Sequence, residues 1–231
     1  MGSFDLTSSD YILIGLLCGF AVVILVLNCI PGVRVVLLPL KLIVIALHEF
    51  GHASAGVATC AKIEGIEVNP DEGGVTRMRG GISWITLPAG YLGSNLWGAL
   101  MIFLSPNEIA VQIVSGFLCA ALIAVLFWAD NWLPRFLVLI FLAAMAGFWA
   151  LQILTSFMGL TYAVLFMGVF SCLYSIMDIY DDLVRRKVNE SDASLFAKEC
   201  PCCPSQGWGV IWALFSIAVM IGACVGAVYV W

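Results

Sequence analysis

The stretch KLIVIALHEFGHASAGVATC, residues 41–60, decides how the chain is read. Most of it is apolar enough to lie in a membrane, yet it contains His48, Glu49 and His52, and the two histidines are the only ones in the chain. A charged side chain at the bilayer centre costs roughly 2.5 kcal/mol or more, so a glutamate there marks a functional site by default. On a helix, positions i and i+4 share a face about one turn apart. His48 and His52 can therefore offer ring nitrogens to one zinc ion, with Glu49 near enough to take a proton from a water. Two buried, hydrogen-bonded histidines are the competing explanation. The glutamate in the same apolar run favours the metal.

The rest of the chain supports a membrane setting. Of 231 residues, 62% are hydrophobic and 11% charged, and the mean hydropathy is +1.05. Soluble domains average roughly 45–50% apolar and about 25% charged residues. An all-α, polytopic helical bundle follows, with residues 1–231 as one integral membrane domain embedded in the lipid bilayer. Apolar runs at about 11–29, 35–59, 83–104, 108–128, 133–152, 156–178 and 208–231 predict seven spans, or six if the fifth and sixth are one pair of half-helices. The net charge of −5 is modest and dispersed, which excludes nucleic acid as a partner. The first ten residues lack the basic segment of a cleavable signal peptide.

Two loops stand out. Residues 60–82 alternate apolar Ile63, Ile66 and Val68 with polar neighbours before a glycine pair, which predicts a hairpin-like loop after span two. Residues 179–207 begin as a charged helix extension and end in the turn-rich CPCCPSQG. The nine cysteines form no disulfide framework by pattern. Cys200, Cys202 and Cys203 lack zinc-finger spacing and suit S-acylation near a membrane end.

Lys62, Arg77, Arg79, Arg135, Arg185, Arg186, Lys187 and Lys198 all follow even-numbered spans. The positive-inside rule predicts that those span ends face the cytosol.

A catalytic zinc usually has three protein ligands. With no third histidine, the last must be a carboxylate, a cysteine or an amide. YSIMDIYDDLVRRK, at the end of span six, offers Asp178, Asp181 and Asp182. Asp181 can pair with Arg185 and Asp182 with Arg186 at i,i+4. No basic residue stands at i+3 or i+4 from Asp178, the deepest of the three, so it is the expected third ligand, with Asp181 and Asp182 as alternatives. Asp71 in Asn69-Pro70-Asp71 reads as a solvated turn residue. In span three, PAGYLGSNLWGAL places Gly90, Ser94 and Gly98 at the spacing for close helix approach. Asn95 on that helix, and the Gly73-Gly74 pair in the loop, are candidate substrate or oxyanion contacts.

These residues resemble the site-2 protease family of intramembrane zinc metalloproteases, and within it a short peptidase-like branch found in fungi and plants. The resemblance rests on HEFGHA in a span, the GGVTR loop, PAGYLGSNLWGAL, MDIYDD and NESDASLFA, and covers about residues 35–200. It implies a zinc held by His48, His52 and an aspartate, with Glu49 activating water. Well-studied members carry the ligand aspartate in an N-P-x-D-G or L-D-G setting, whereas Asp178 is followed by Ile179.

The expected function is cleavage of a transmembrane or membrane-proximal peptide bond in a membrane-protein substrate. Two alternatives are a zinc-binding scaffold or client-helix binder without proteolysis, and a transporter or channel. Convergence of the ionisable groups on one site, rather than their recurrence along several spans, argues against the last.

Overall fold

The computed structural model describes residues 6–71, 73–155, 157–184 and 191–231. Helix α1 (Ser8–Cys29) opens on a Thr7/Asp10 capping box, and a short 3-10 helix (Val33–Leu37) leads into α2 (Leu38–Ala58). Strands β1 (Lys62–Val68) and β2 (Gly74–Arg79) follow, then α3 (Ser83–Leu104), α4 (Glu108–Trp128) and α5 (Trp132–Leu154). Helices α6 (Gly159–Val184), α7 (Asp192–Glu199) and α8 (Ser205–Tyr229) complete the order.

Among the described residues seven long helices correspond to the seven expected runs, with α5 ending at Leu154 and α6 beginning at Gly159. Among the described residues six helices are long and apolar enough to cross a membrane: α1, α3, α4, α5, α6 and α8. Helix α2 matches them in length, but Lys41, His48, Glu49 and His52 interrupt its apolar sequence. It is instead shielded by protein: Leu42 to Leu47, Glu49 and Gly51 to Ala53 are all buried. A central helix surrounded by others can carry polar groups that a lipid-facing one cannot.

Small residues set the spacing around it. A Cβ at Gly51 would strike the Ala89 carbonyl carbon at 3.0 Å, and one at Gly98 would lie 2.6 Å from Cys172 Sγ and 2.8 Å from the Gly168 carbonyl. Backbones on α2, α3 and α6 thus approach as small-xxx-small packing requires. Buried hydroxyls link α3 to α6: Ser94 and Ser175 lie 2.9 Å apart, and Ser171 donates to the Ser94 carbonyl at 2.8 Å.

The hairpin forms where the alternation predicts it. Strands β1 and β2 pair antiparallel from Lys62–Arg79 to Val68–Gly74, with an irregularity between Ile63 and Gly65. The α4–α5 connection closes the outer edge of β1. Asp130 N–H donates to the Ile66 carbonyl at 2.8 Å. The Asn131 side-chain amide donates to the Val68 carbonyl at 2.6 Å and accepts its N–H at 3.4 Å. Arg77 on β2 bridges to Glu67 and, at 3.0 Å, to Asp130. The opposite edge of β2 carries no further strand among the described residues.

Helix α7 is capped by Ser191, whose side chain accepts the Ser194 N–H. Its apolar face, Ala193 and Phe196, packs with Tyr91, Ile179 and Trp212 in a cluster separate from the main core. Phe196 meets Trp208 edge-on at 4.7 Å and Trp212 at 5.4 Å.

Candidate metal centre

The helical period of α2 brings the two imidazoles together, with His48 Nε2 and His52 Nε2 3.0 Å apart. Asp192 completes the group: its Oδ2 lies 3.0 Å from His48 Nε2 and 3.1 Å from His52 Nε2. The donor that meets both rings is therefore Asp192 on α7, rather than Asp178 on α6. Asp178 lines the same cavity, of about 360 Å³, together with His48, Glu49, His52 and Asp192. The carboxylate that meets the rings thus arrives from beyond span six. Asp181 does not line this cavity. The Asp182 side chain and both arginine partners expected for these aspartates lie outside the described residues.

Hydrogen bonding fixes the chemical character of the group. His52 Nδ1 lies 2.7 Å from the Thr86 carbonyl, which can only accept, so the N–H is on Nδ1. A neutral His52 then presents the lone pair of Nε2 to the centre, the orientation common to metal-ligating histidines. Burial opposes a charge on Asp192, but the nearby His52 and the contacts from both histidines hold its carboxyl well below the usual carboxylate range. With neutral rings, three lone pairs converge here, an arrangement that either a proton on a ring nitrogen or a metal ion between the donors can hold.

The donor set fits zinc. Ligand atoms ~2.0–2.1 Å from a tetrahedral zinc stand about 3.3 Å from one another, close to the separations here. Space has been left for the ion as well. A Cβ at Gly90 would fall 2.6 Å from His52 Cε1 and nearer still to the Nε2 atoms of both histidines. Gly90 therefore clears the space beside the two ligands, a role beyond the helix packing its spacing suggests.

Glu49 is buried, and its carboxylate lies within 4.8 Å of the histidine ligand atoms. Thr76 on β2 bonds to it at 2.6 Å. Gly73 and Gly74 line the cavity. Asn95 does not line it. That side chain is fully buried, with no hydrogen-bond partner for either polar atom among the described residues.

Sequence reasoning missed Asp192, Thr76, Gly90 and the Thr86 carbonyl as parts of the site. One of these had a readable signal: Ser191-Asp192 before Ala193, Leu195 and Phe196 is a helix N-terminus with an apolar face to bury. A short amphipathic helix between two spans must fold back on the bundle, bringing Asp192 with it.

A multi-pass helical membrane protein with a buried His-Glu-His group matches the architecture expected of a membrane-embedded metallopeptidase. The family model described as Peptidase M50B-like matches residues 16–223, so the chain belongs to that family, which supports the site-2 protease resemblance. No curated protein and no solved structure gives a match.

Proposed function

We propose that the chain is an intramembrane zinc metalloprotease in which His48, His52 and Asp192 hold the metal and Glu49 is the general base. The observation that carries this reading is the convergence of two imidazole nitrogens and a carboxylate oxygen within 3.1 Å beside a buried glutamate. Bound there, zinc supplies a Lewis acid that polarises the scissile carbonyl and acidifies the attacking water. Glu49 takes the proton from that water and returns it to the leaving amine.

The hairpin suits a substrate segment that has lost its helical hydrogen bonds. Because the α4–α5 connection closes β1, an added strand can pair only with the outer edge of β2. Gly74, Val75, Thr76 and Met78 of that strand line the cavity that holds the histidines. Strand addition would give the unwound substrate backbone its hydrogen-bond partners beside the catalytic group.

The test uses purified full-length protein in detergent, with metal analysis and a reporter carrying one transmembrane helix. Wild type holds about one zinc per chain and cuts the reporter; Glu49→Gln keeps zinc and loses cleavage. Asp192→Asn loses most of the metal, whereas Asp178→Asn retains it. The reverse ranking of the two aspartates would overturn the ligand assignment. Zinc-loaded wild type that cuts no reporter would favour a non-proteolytic zinc-binding scaffold.

A further inference from the structure

Helix α2 supplies Glu49, but the groups that restrain its carboxylate belong to the hairpin. Thr76 Oγ1 lies 2.6 Å from Glu49 Oε2 and 3.0 Å from the Glu49 main-chain carbonyl. Both are acceptors, and a threonine hydroxyl has one proton to give. The shorter contact falls in the range of a charge-assisted O–H···O⁻ bond, so the proton goes to the carboxylate. On the other side of that carboxylate, a Cβ at Gly74 would lie 2.8 Å from Glu49 Cδ and 2.9 Å from Cγ, and closest of all to Oε1. The carboxyl group is thus seated between the hydroxyl of one β2 residue and the bare backbone of another.

The restraint is anchored away from the site. Thr76 pairs across the ladder with Ile66, which is fully buried. The Ile66 carbonyl in turn accepts the Asp130 N–H from the α4–α5 connection. A glutamate has three side-chain torsions to fix, and the hydrogen bond from Thr76 constrains the last of them.

We propose that Thr76 is a positioning residue for the general base: its hydroxyl occupies Oε2, aims Oε1 at the attacking water, and makes the hairpin part of the catalytic apparatus as well as a substrate edge. This rests on the proteolytic reading of the site. The bond to Thr76 stabilises the ionised, proton-accepting form of Glu49, and Oε1, the oxygen beside the side-chain-free Gly74, is the one this bond leaves to accept a proton. A hydroxyl that only strapped β2 to α2 would act through the Glu49 main-chain carbonyl and leave the carboxylate unaffected.

Thr76→Val and Thr76→Ser in the zinc-loaded full chain separate the two roles. Thr76→Val should lower kcat about 10–100-fold, the cost typical of losing a group that orients a metal-site residue, with KM within about twofold. Thr76→Ser, which keeps the hydroxyl, should recover activity to within about threefold of wild type, and zinc content should be unchanged in both. An independent readout is the carboxylate stretch of Glu49, taken as the infrared difference between each protein and its Glu49→Gln counterpart. It should shift in Thr76→Val and return in Thr76→Ser. Unchanged kcat in Thr76→Val, equal damage in both variants, or an unmoved band in an active enzyme would overturn the proposal. If zinc-loaded wild type cleaves nothing, the proteolytic reading fails and the catalytic role of Thr76 with it. The infrared shift would still report whether the bond itself exists.

Discussion

Gly90→Ala tests the site with one added methyl group and no change of ligand. The new Cβ would stand 2.6 Å from His52 Cε1 and nearer to the Nε2 of both histidines. Ordinary contact is at about 3.5 Å, so something must move by roughly 1 Å. Backbone retreat is resisted, because α3 is packed against α6 at Gly98, where even a Cβ would meet Cys172 and the Gly168 carbonyl. The imidazoles must then rotate, but His52 is tied to the Thr86 carbonyl at 2.7 Å. Metal–ligand distances tolerate only about ±0.2 Å. Zinc affinity should therefore fall by on the order of 100-fold or more, the upper end of what disturbing a ligand's support costs. Competition with a chromophoric chelator on detergent-purified protein measures this, and far-UV circular dichroism checks that the bundle persists. Gly116→Ala is the control, since nothing lies within 4 Å of a Cβ there. If Gly90→Ala bound zinc as wild type does, the metal could not lie in the space beside Gly90.

Other outcomes follow from the same geometry. His48→Ala and His52→Ala should each drop zinc well below one equivalent, and chelator treatment of wild type should abolish cleavage that added zinc restores. Asn131→Ala removes both side-chain bonds to Val68. Local opening of β1 should become easier by on the order of 1–2 kcal/mol, read as faster hydrogen exchange at β1 amides with α2 unaffected. Asn189 of the Asn189-Glu190-Ser191 sequon lies outside the described residues. Following the positive-inside reading, it should carry no sugar when the protein passes through the secretory membrane system. A sequon engineered on a spacer beyond Trp231 should be modified, and a glycosidase gel shift on Asn189 itself would reverse the orientation.

The sequence by itself determined whatever depends on local periodicity. Apolar runs longer than about 18 residues predict membrane helices because a lone span must satisfy its own backbone. The i,i+4 spacing of His48 and His52 fixes their shared face before any tertiary contact forms. The period-two pattern around Ile66 and Val68 marks the hairpin in the same way. Tertiary structure decided the rest. Asp192 is 144 residues from His48, and only the packing of α7 on Tyr91 and Trp212 brings them together. Among carboxylates at span depth Asp178 is the one favoured, and it lines the cavity, but the carboxylate 3.0–3.1 Å from the two rings is that of Asp192. The space beside Gly90, the Thr86 carbonyl behind His52 and the Thr76 hydroxyl on Glu49 are likewise matters of which surface meets which. Periodicity reports the face a residue occupies, whereas partners distant in sequence are set by the packing free energy of the whole chain, and no local pattern contains it.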